Sequence, residues 1–483
     1  LESRFFNLLI NTPLAELNDD FVLQQVKEIE SDAAYSKIKS RVFLKILDKM
    51  CSDDFLTKDE IVDPAEKAHV RIKKKLLQVK ILTTKSALSK GDVFNHLLSE
   101  IVDEAKEYEL YDSIVEALTN KKYVIANTLG YKEFLKIQHE IEYYQECSRA
   151  RRLANDYYFV VISNQKLISH FSQKELSDFI DDKIQQMESD PYTTVSTGVQ
   201  YFYKILKLAQ VQRKGQWTDS TDICLELISL LKRSKAIGVK QRFGFVYGNM
   251  GESLIYQKRF KEAAQAMRVA QSYSPHNSFN YIISKEHEFY ACFYGKDYVR
   301  CQEVLDVLLT HEKRDIGEIR YDKFTYYSGC LDFVLGRFKE AKRISNLALQ
   351  ILKDKPRWEL GVRYLKIMSL IELGEFGEAD DAIESLRKQI KRNSADEKTA
   401  VSERDEYIFR VLQEYKLCGY GKTASHRLIY FLKKLSVKDQ PVSWKFYSHE
   451  LFPVQRWLKK RITETVPATA TASAAKSQRI DLN

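Results

Sequence analysis

Five aromatic residues set the terms on which this chain can fold. Trp217, Phe260, Tyr298, Phe338 and Phe376 stand 43, 38, 40 and 38 residues apart. Three residues after each comes a small side chain: Ser220, Ala263, Cys301, Ala341 and Ala379. A glycine precedes four of them by two or three residues, at Gly215, Gly295, Gly336 and Gly374. The clearest instance is residues 244–277, GFVYGNMGESLIYQKRFKEAAQAMRVAQSYSPHN. Gly251 lies in a first apolar-periodic segment, a charged turn follows at 257–259, and Phe260 opens a second segment. Ala263, Met267 and Ala270 share one helical face there, and Pro275 is the stop. One arrangement explains the coincidences. The glycine permits a tight turn between helices; the aromatic fills the gap between them, and the small residue lets the next helix lie close. The spacing predicts stacked helix pairs.

This pattern resembles the tetratricopeptide repeat, whose period is about 34 residues. The longer spacing predicts lengthened helices or inter-repeat loops. The resemblance covers residues 195–392, and residues 65–150 loosely. Leu208 and Ile367 stand where a small first-helix residue is expected. The implied fold is all-α, a right-handed α-solenoid of such pairs. Residues 1–190 are expected to form a helical N-terminal region with divergent repeats, and residues 191–392 the clear repeats. Residues 393–462 should form a basic helical cap, which a solenoid needs to cover its last apolar face. Residues 463–483 lack apolar periodicity and are expected to be disordered.

Low glycine and proline content, 17 and 8 residues of 483, agrees with long helices. Apolar residues recur at three- and four-residue steps through residues 1–50. A polar break at 51–64 precedes a basic helix at 65–87 and a return helix at 93–108. A further pair is expected at 109–118 and from Tyr123 onward, turning at 120–122. Residues 131–155 read as a long charged helix. The run 156–162, DYYFVVI, is strand-like in composition, but its helical surroundings favour helix. Pro191 marks a boundary.

Seven cysteines are odd in number and form no C-x-x-C pair, which suits buried thiols in a reducing compartment. No apolar run approaches the roughly 18 residues of a membrane span, and the first residues lack a signal-peptide layout. The expectation is a cytoplasmic protein without a membrane anchor. Because the sequence starts at Leu1, a further domain upstream is left open.

Motifs for catalysis fail on spacing. Each of the four His-Glu dipeptides would need a second His four residues after the first, where Tyr143, Ala291, Asp315 and Pro453 stand. The run Gly419 to Thr423 resembles the end of a phosphate loop, but position 416 is Lys416 where that loop needs Gly. No catalytic residue, metal ligand or cofactor is expected.

The net charge of +9 is concentrated. Residues 407–462 hold twelve Lys/Arg against three Asp/Glu. Lys433, Lys434, Lys459, Lys460 and Arg461 are candidate anion contacts, weighed against a merely solvated surface. Trp444 and Trp457 are expected to anchor the cap.

The tetratricopeptide resemblance also implies where a partner binds. In that family the first helices line a concave groove. Carried onto this sequence, the groove positions are Asn249, Glu252 and Tyr256, then His287, Tyr290 and Tyr294, then Tyr327, Cys330 and Val334, with Tyr326 beside them. A tyrosine-rich groove suits recognition of a protein or peptide; the competing possibility is that the tyrosines pack between helices. Only Asn249 fits a carboxylate clamp, since His287 and Tyr327 stand at the later positions. The expected function is a non-catalytic interaction scaffold. The alternative is a peptide-sensing regulator that touches nucleic acid through its basic end or an upstream domain.

Overall fold

The structure is a computed structural model. It describes residues 2–12, 21, 24–26, 31–50, 64–84, 92–166, 172–276, 278–310, 318–352, 356–394, 401–421, 423–437 and 441–463. The expected polar break at 51–64 and the expected disordered tail fall almost wholly outside them. The described residues contain twenty α-helices, one 3-10 turn and no strand. They divide into two compact units, residues 1–210 with 226–242, and residues 211–225 with 243–483.

In the first unit, α1 (Glu2–Asn11) and α2 (Asp32–Met50) pack through Phe5, Tyr35, Ile38 and Val42. Next come α3 (Pro64–Thr84), α4 (Asp92–Glu107), α5 (Tyr111–Thr128) and α6 (Tyr131–Lys166). They share a core that includes Ile72, Val79, Leu98, Ile101 and Ile114. The turn expected at 120–122 does not form, and α5 runs straight through it. Thr119 and Asn120 bond back to the carbonyls of Val115 and Glu116, so their side chains stay with the helix. The break comes instead at Gly130, whose φ of 81° is easy only for glycine. The strand-like run 156–162 lies inside α6, with Val161 buried against Leu176, Ile180 and Ile184. A capping box of Ser172 and Glu175 starts α7 (Gln173–Ser189). Asp190 caps the 3-10 turn Pro191–Thr193, and α8 (Thr197–Arg213) follows. The Glu109 carboxylate accepts from the N–H groups of Thr197 and Gly198 at 2.7 and 3.0 Å, satisfying the start of α8.

After α9 (Trp217–Arg233), four helix pairs follow one another. They are α10 (Lys240–Tyr256) with α11 (Phe260–Ser272), and α12 (Phe279–Tyr294) with α13 (Tyr298–Thr310). Then come α14 (Glu318–Val334) with α15 (Phe338–Ile351), and α16 (Pro356–Leu373) with α17 (Phe376–Ser394). The cap is α18 (Glu403–Leu417), α19 (His426–Lys434) and α20 (Val454–Thr463). All five aromatics of the sequence register open a helix, and Ser220, Ala263, Cys301, Ala341 and Ala379 are all fully buried.

The turns before those aromatics share one geometry. The residue just before each aromatic donates its N–H to the carbonyl five residues back: Gln216 to Val211, Arg259 to Leu254, Asp297 to Cys292, Arg337 to Asp332 and Glu375 to Leu370. This is the Schellman closure, which needs a left-handed residue one position earlier. Gly215, Lys258, Lys296, Gly336 and Gly374 fill that place, with φ between 62° and 77°. Gly295 is therefore not the turn glycine that the sequence suggests. Its φ is −77°, and a Cβ there would stand 3.0 Å from the Cβ of Phe260. It serves close packing, and Lys296 takes the strained position.

Candidate functional site

The ten groove positions fall on the first helices of three successive pairs: α10, α12 and α14. Tyr290, Tyr326 and Tyr327 are only 3%, 2% and 0% exposed. The hydroxyls of Tyr290 and Tyr327 share a hydrogen bond, and Tyr327 also donates to Glu286 Oε1 at 2.9 Å. Lys323 pairs with the same oxygen at 2.8 Å and sits over the Trp358 ring. Burial and the adjoining Glu286 carboxylate push the Tyr327 hydroxyl well above the usual phenol range. Asn249, Glu252, Tyr256, His287, Tyr294 and Val334 keep part of their surface, whereas Cys330 is buried. Asn249 donates to the carbonyl of Phe245 in its own helix, and Tyr256 stacks on Trp217 with centroids 3.8 Å apart.

The sequence left open whether these tyrosines face a groove or pack between helices. The structure shows a third arrangement, in which the chain's own segment lies over them. Between α19 and α20, residues 441–453 cross the first-helix face without regular secondary structure. The Phe446 ring meets Tyr256 and Tyr294 at 5.5 and 4.8 Å. The Tyr447 ring lies 4.8 Å from that of Tyr290 and 5.0 Å from that of His287. Trp444 packs edge-on to Tyr294 at 5.5 Å, and Phe452 stacks on Phe333 at 5.3 Å. Backbone groups are held too. The Tyr447 N–H donates to the Tyr294 hydroxyl at 3.2 Å, and the Tyr326 hydroxyl donates to the His449 carbonyl at 2.8 Å. That carbonyl rests on Gly361 of α16, where a Cβ would lie 2.1 Å from its oxygen. Sequence reasoning missed this segment; its aromatic run, Trp444 to Tyr447, was the available signal.

The downstream end of the segment is fixed by charge. Glu450 receives Arg404 Nε and Nη2 at 2.5 and 2.9 Å, and caps α20 through the Val454 N–H at 2.6 Å. Burial pushes the Glu450 carboxyl up, partly offset by Arg404. Next to it, Asp405 accepts from Tyr364 at 2.8 Å and meets His449 Nε2 at 2.8 Å. Burial pushes the Asp405 carboxyl up, but His449, Ser402 and Tyr364 outweigh it and hold it at about 2.

The five basic candidates divide. Lys433 and Lys460 are exposed. Lys434 lies over Tyr430, and Lys459 reaches back to Ser436. Arg461 turns inward to Glu372 Oε2 at 2.6 Å and the Tyr415 hydroxyl at 3.0 Å, beside Trp457, whose indole N–H donates to Glu372 Oε1. Both tryptophans anchor the cap as expected, Trp444 through its bond to the Glu450 carbonyl. The first unit has a cleft of about 360 Å³ lined by His69, Lys73, Arg152 and Arg242, but also by Glu109 and Asp112. No helix among the described residues is long and apolar enough to cross a membrane.

No protein-family model matches this chain, and no curated protein does. Among solved structures it is similar to a Rap protein complexed with competence and sporulation factor, at 12% identity over 76% of this chain and 86% of that one, with a TM-score of 0.39. The apo form of RapI is similar at 12% identity and the same coverage, with a TM-score of 0.44. The tetratricopeptide domain of P58(IPK) is similar at 10% identity over 82% of this chain and 99% of that one, with a TM-score of 0.23. The repeated turn and the buried small residues define the fold in their own right: it is an all-α stack of tetratricopeptide-like helix pairs.

Proposed function

We propose that this protein is a non-catalytic interaction scaffold whose first-helix face grips a segment of a protein partner. One observation carries the reading: that face already holds an irregular, turn-containing segment, at residues 444–449, through both rings and backbone groups. Backbone bonds give grip and side-chain contacts give selectivity. Tyr290, Tyr326 and Tyr327 form the floor. Asn249 and Glu252 keep part of their surface, while Tyr256, His287 and Tyr294 are partly covered by that segment. The test is capture of partners with the full chain, followed by calorimetric titration of the recovered protein. The double variant Glu252→Ala, His287→Ala is expected to weaken binding at least tenfold with unchanged helical content. Unchanged affinity would move the binding site off this face.

The alternative is a regulator that touches nucleic acid through the basic end or an upstream domain; at the basic end Arg461 is already held by Glu372. A cytoplasmic location is supported by six free cysteines among the described residues, five of them buried. Thiol labelling under denaturing, non-reducing conditions checks it, and a disulfide would contradict it.

A further inference from the structure

Resting on that reading, we infer that residues 444–449 are a built-in competitor, which occupies the face in cis and gives way to a partner segment of the same chemistry. That partner segment turns as residues 446–447 do, carries aromatic side chains at the places of Trp444, Phe446 and Tyr447, and lays a backbone carbonyl on Gly361.

Both ends of the strap are tied to Arg404, and its middle is held differently. Downstream, Glu450 is tied to Arg404 and to the first turn of α20, and Gln455 adds a further bond to Arg404. Upstream, the Val442 carbonyl accepts from the same Arg404 at 2.6 Å; between these anchors residues 444–449 are held to the face by rings, by two backbone hydrogen bonds, from Tyr447 and to His449, and by the contact of His449 with Asp405. That stretch also carries costs. Tyr447 is in the left-handed region at φ 61°, which a side chain with a Cβ adopts at a penalty. Its hydroxyl is buried with no hydrogen-bond partner among the described residues, and an orphaned polar group keeps its full desolvation cost. The occupant therefore fits well enough to fill the face and poorly enough to leave it, looping out between its anchors at Val442 and Glu450. Gly361 fixes the register. Glycine inside a helix weakens it, and the space gained at Gly361 is taken by the His449 carbonyl.

The test uses the full chain and a fluorescein-labelled peptide of residues 442–449. In the wild type the cis copy stands at a high effective concentration, so the peptide binds weakly. The variant Trp444→Ala, Phe446→Ala, Tyr447→Ala empties the face, and anisotropy should then show at least tenfold tighter binding. Adding Gly361→Ala should remove at least tenfold again, because the peptide's carbonyl loses its seat. Equal affinity for wild type and emptied variant would overturn the inference, as would indifference to Gly361→Ala. Tyr447→Phe is a second probe that does not endanger folding. Without the orphaned hydroxyl, hydrogen exchange of amides 443–449 should slow at least fivefold, and unchanged or faster exchange would also overturn it. The functional reading fails separately. If the peptide competes as described but no captured protein binds the emptied face, the competitor stands and the scaffold reading falls. If a captured partner binds the wild type and the emptied variant equally well, the competitor falls and the scaffold reading stands.

Discussion

Single residues carry definite costs here, and two of them can be measured. Lys296 holds a left-handed turn position at φ 63° that Gly215, Gly336 and Gly374 hold elsewhere. The left-handed region costs a residue with a Cβ about 1–2 kcal/mol, and glycine returns part of that through its freer unfolded chain. Lys296→Gly is therefore expected to stabilise the protein by about 0.5 kcal/mol, read from denaturant midpoints; destabilisation would mean that the lysine makes a compensating contact. Asp405 acts in the opposite sense. Its carboxyl is held at about 2 in the folded chain, against about 3.9 when unfolded. A depressed folded pKa contributes stability that is fully present above about pH 4 and lost as pH falls toward 2. The linkage is worth about 2–3 kcal/mol. Asp405→Asn should melt lower at pH 7 and lose stability less steeply between pH 4 and pH 2. A parallel decline in both proteins would assign the acid sensitivity to other carboxylates.

At the scale of the element, the sequence was legible wherever the information is local. The aromatic, the small residue three places later and the turn before them lie within one turn of chain, so five helix starts could be read directly. The same turn recurs twice outside the aromatic register, once at Gly419, where the glycine itself favours a helix-ending turn over a phosphate loop. Leu110 N–H donates to Ala105 with Glu109 at φ 51°, and Tyr420 N–H donates to Tyr415 with Gly419 at φ 63°. Glutamate at the first of these hid it, just as Lys296 did in the third repeat and as polar Asn120 and Lys121 suggested a turn inside α5. The small residues are the stronger signal, and they make the register testable. Ala263→Trp and Ala341→Trp each force a large ring into a fully buried helix contact. Overpacking costs about 1–3 kcal/mol, so each should lower the melting temperature clearly; a variant that melts like the parent would place that alanine outside the contact.

At the scale of the molecule, the helix-pair architecture was readable and the covering of its face was not. Tyr294 bonds to Tyr447 across 153 residues of sequence, and Tyr326 to His449 across 123. Periodicity reports which side of a helix is apolar, and it says nothing about which distant segment arrives there. The candidate residues fall on the first helices of three pairs, while the identity of their neighbour required coordinates. That neighbour spans several pairs, touching Tyr256 of α10, Tyr294 of α12, Tyr326 and Phe333 of α14 and Gly361 of α16. A stack of repeats without it is a spring, since each pair contacts its neighbours and can yield on its own. The segment works as a splint along that spring, coupling four coils that would otherwise bend separately. Emptying the face through Trp444→Ala, Phe446→Ala and Tyr447→Ala should therefore broaden the denaturant transition as well as lower its midpoint, because the coils no longer give way together. An equally sharp transition would mean that the stiffness resides in the helix contacts.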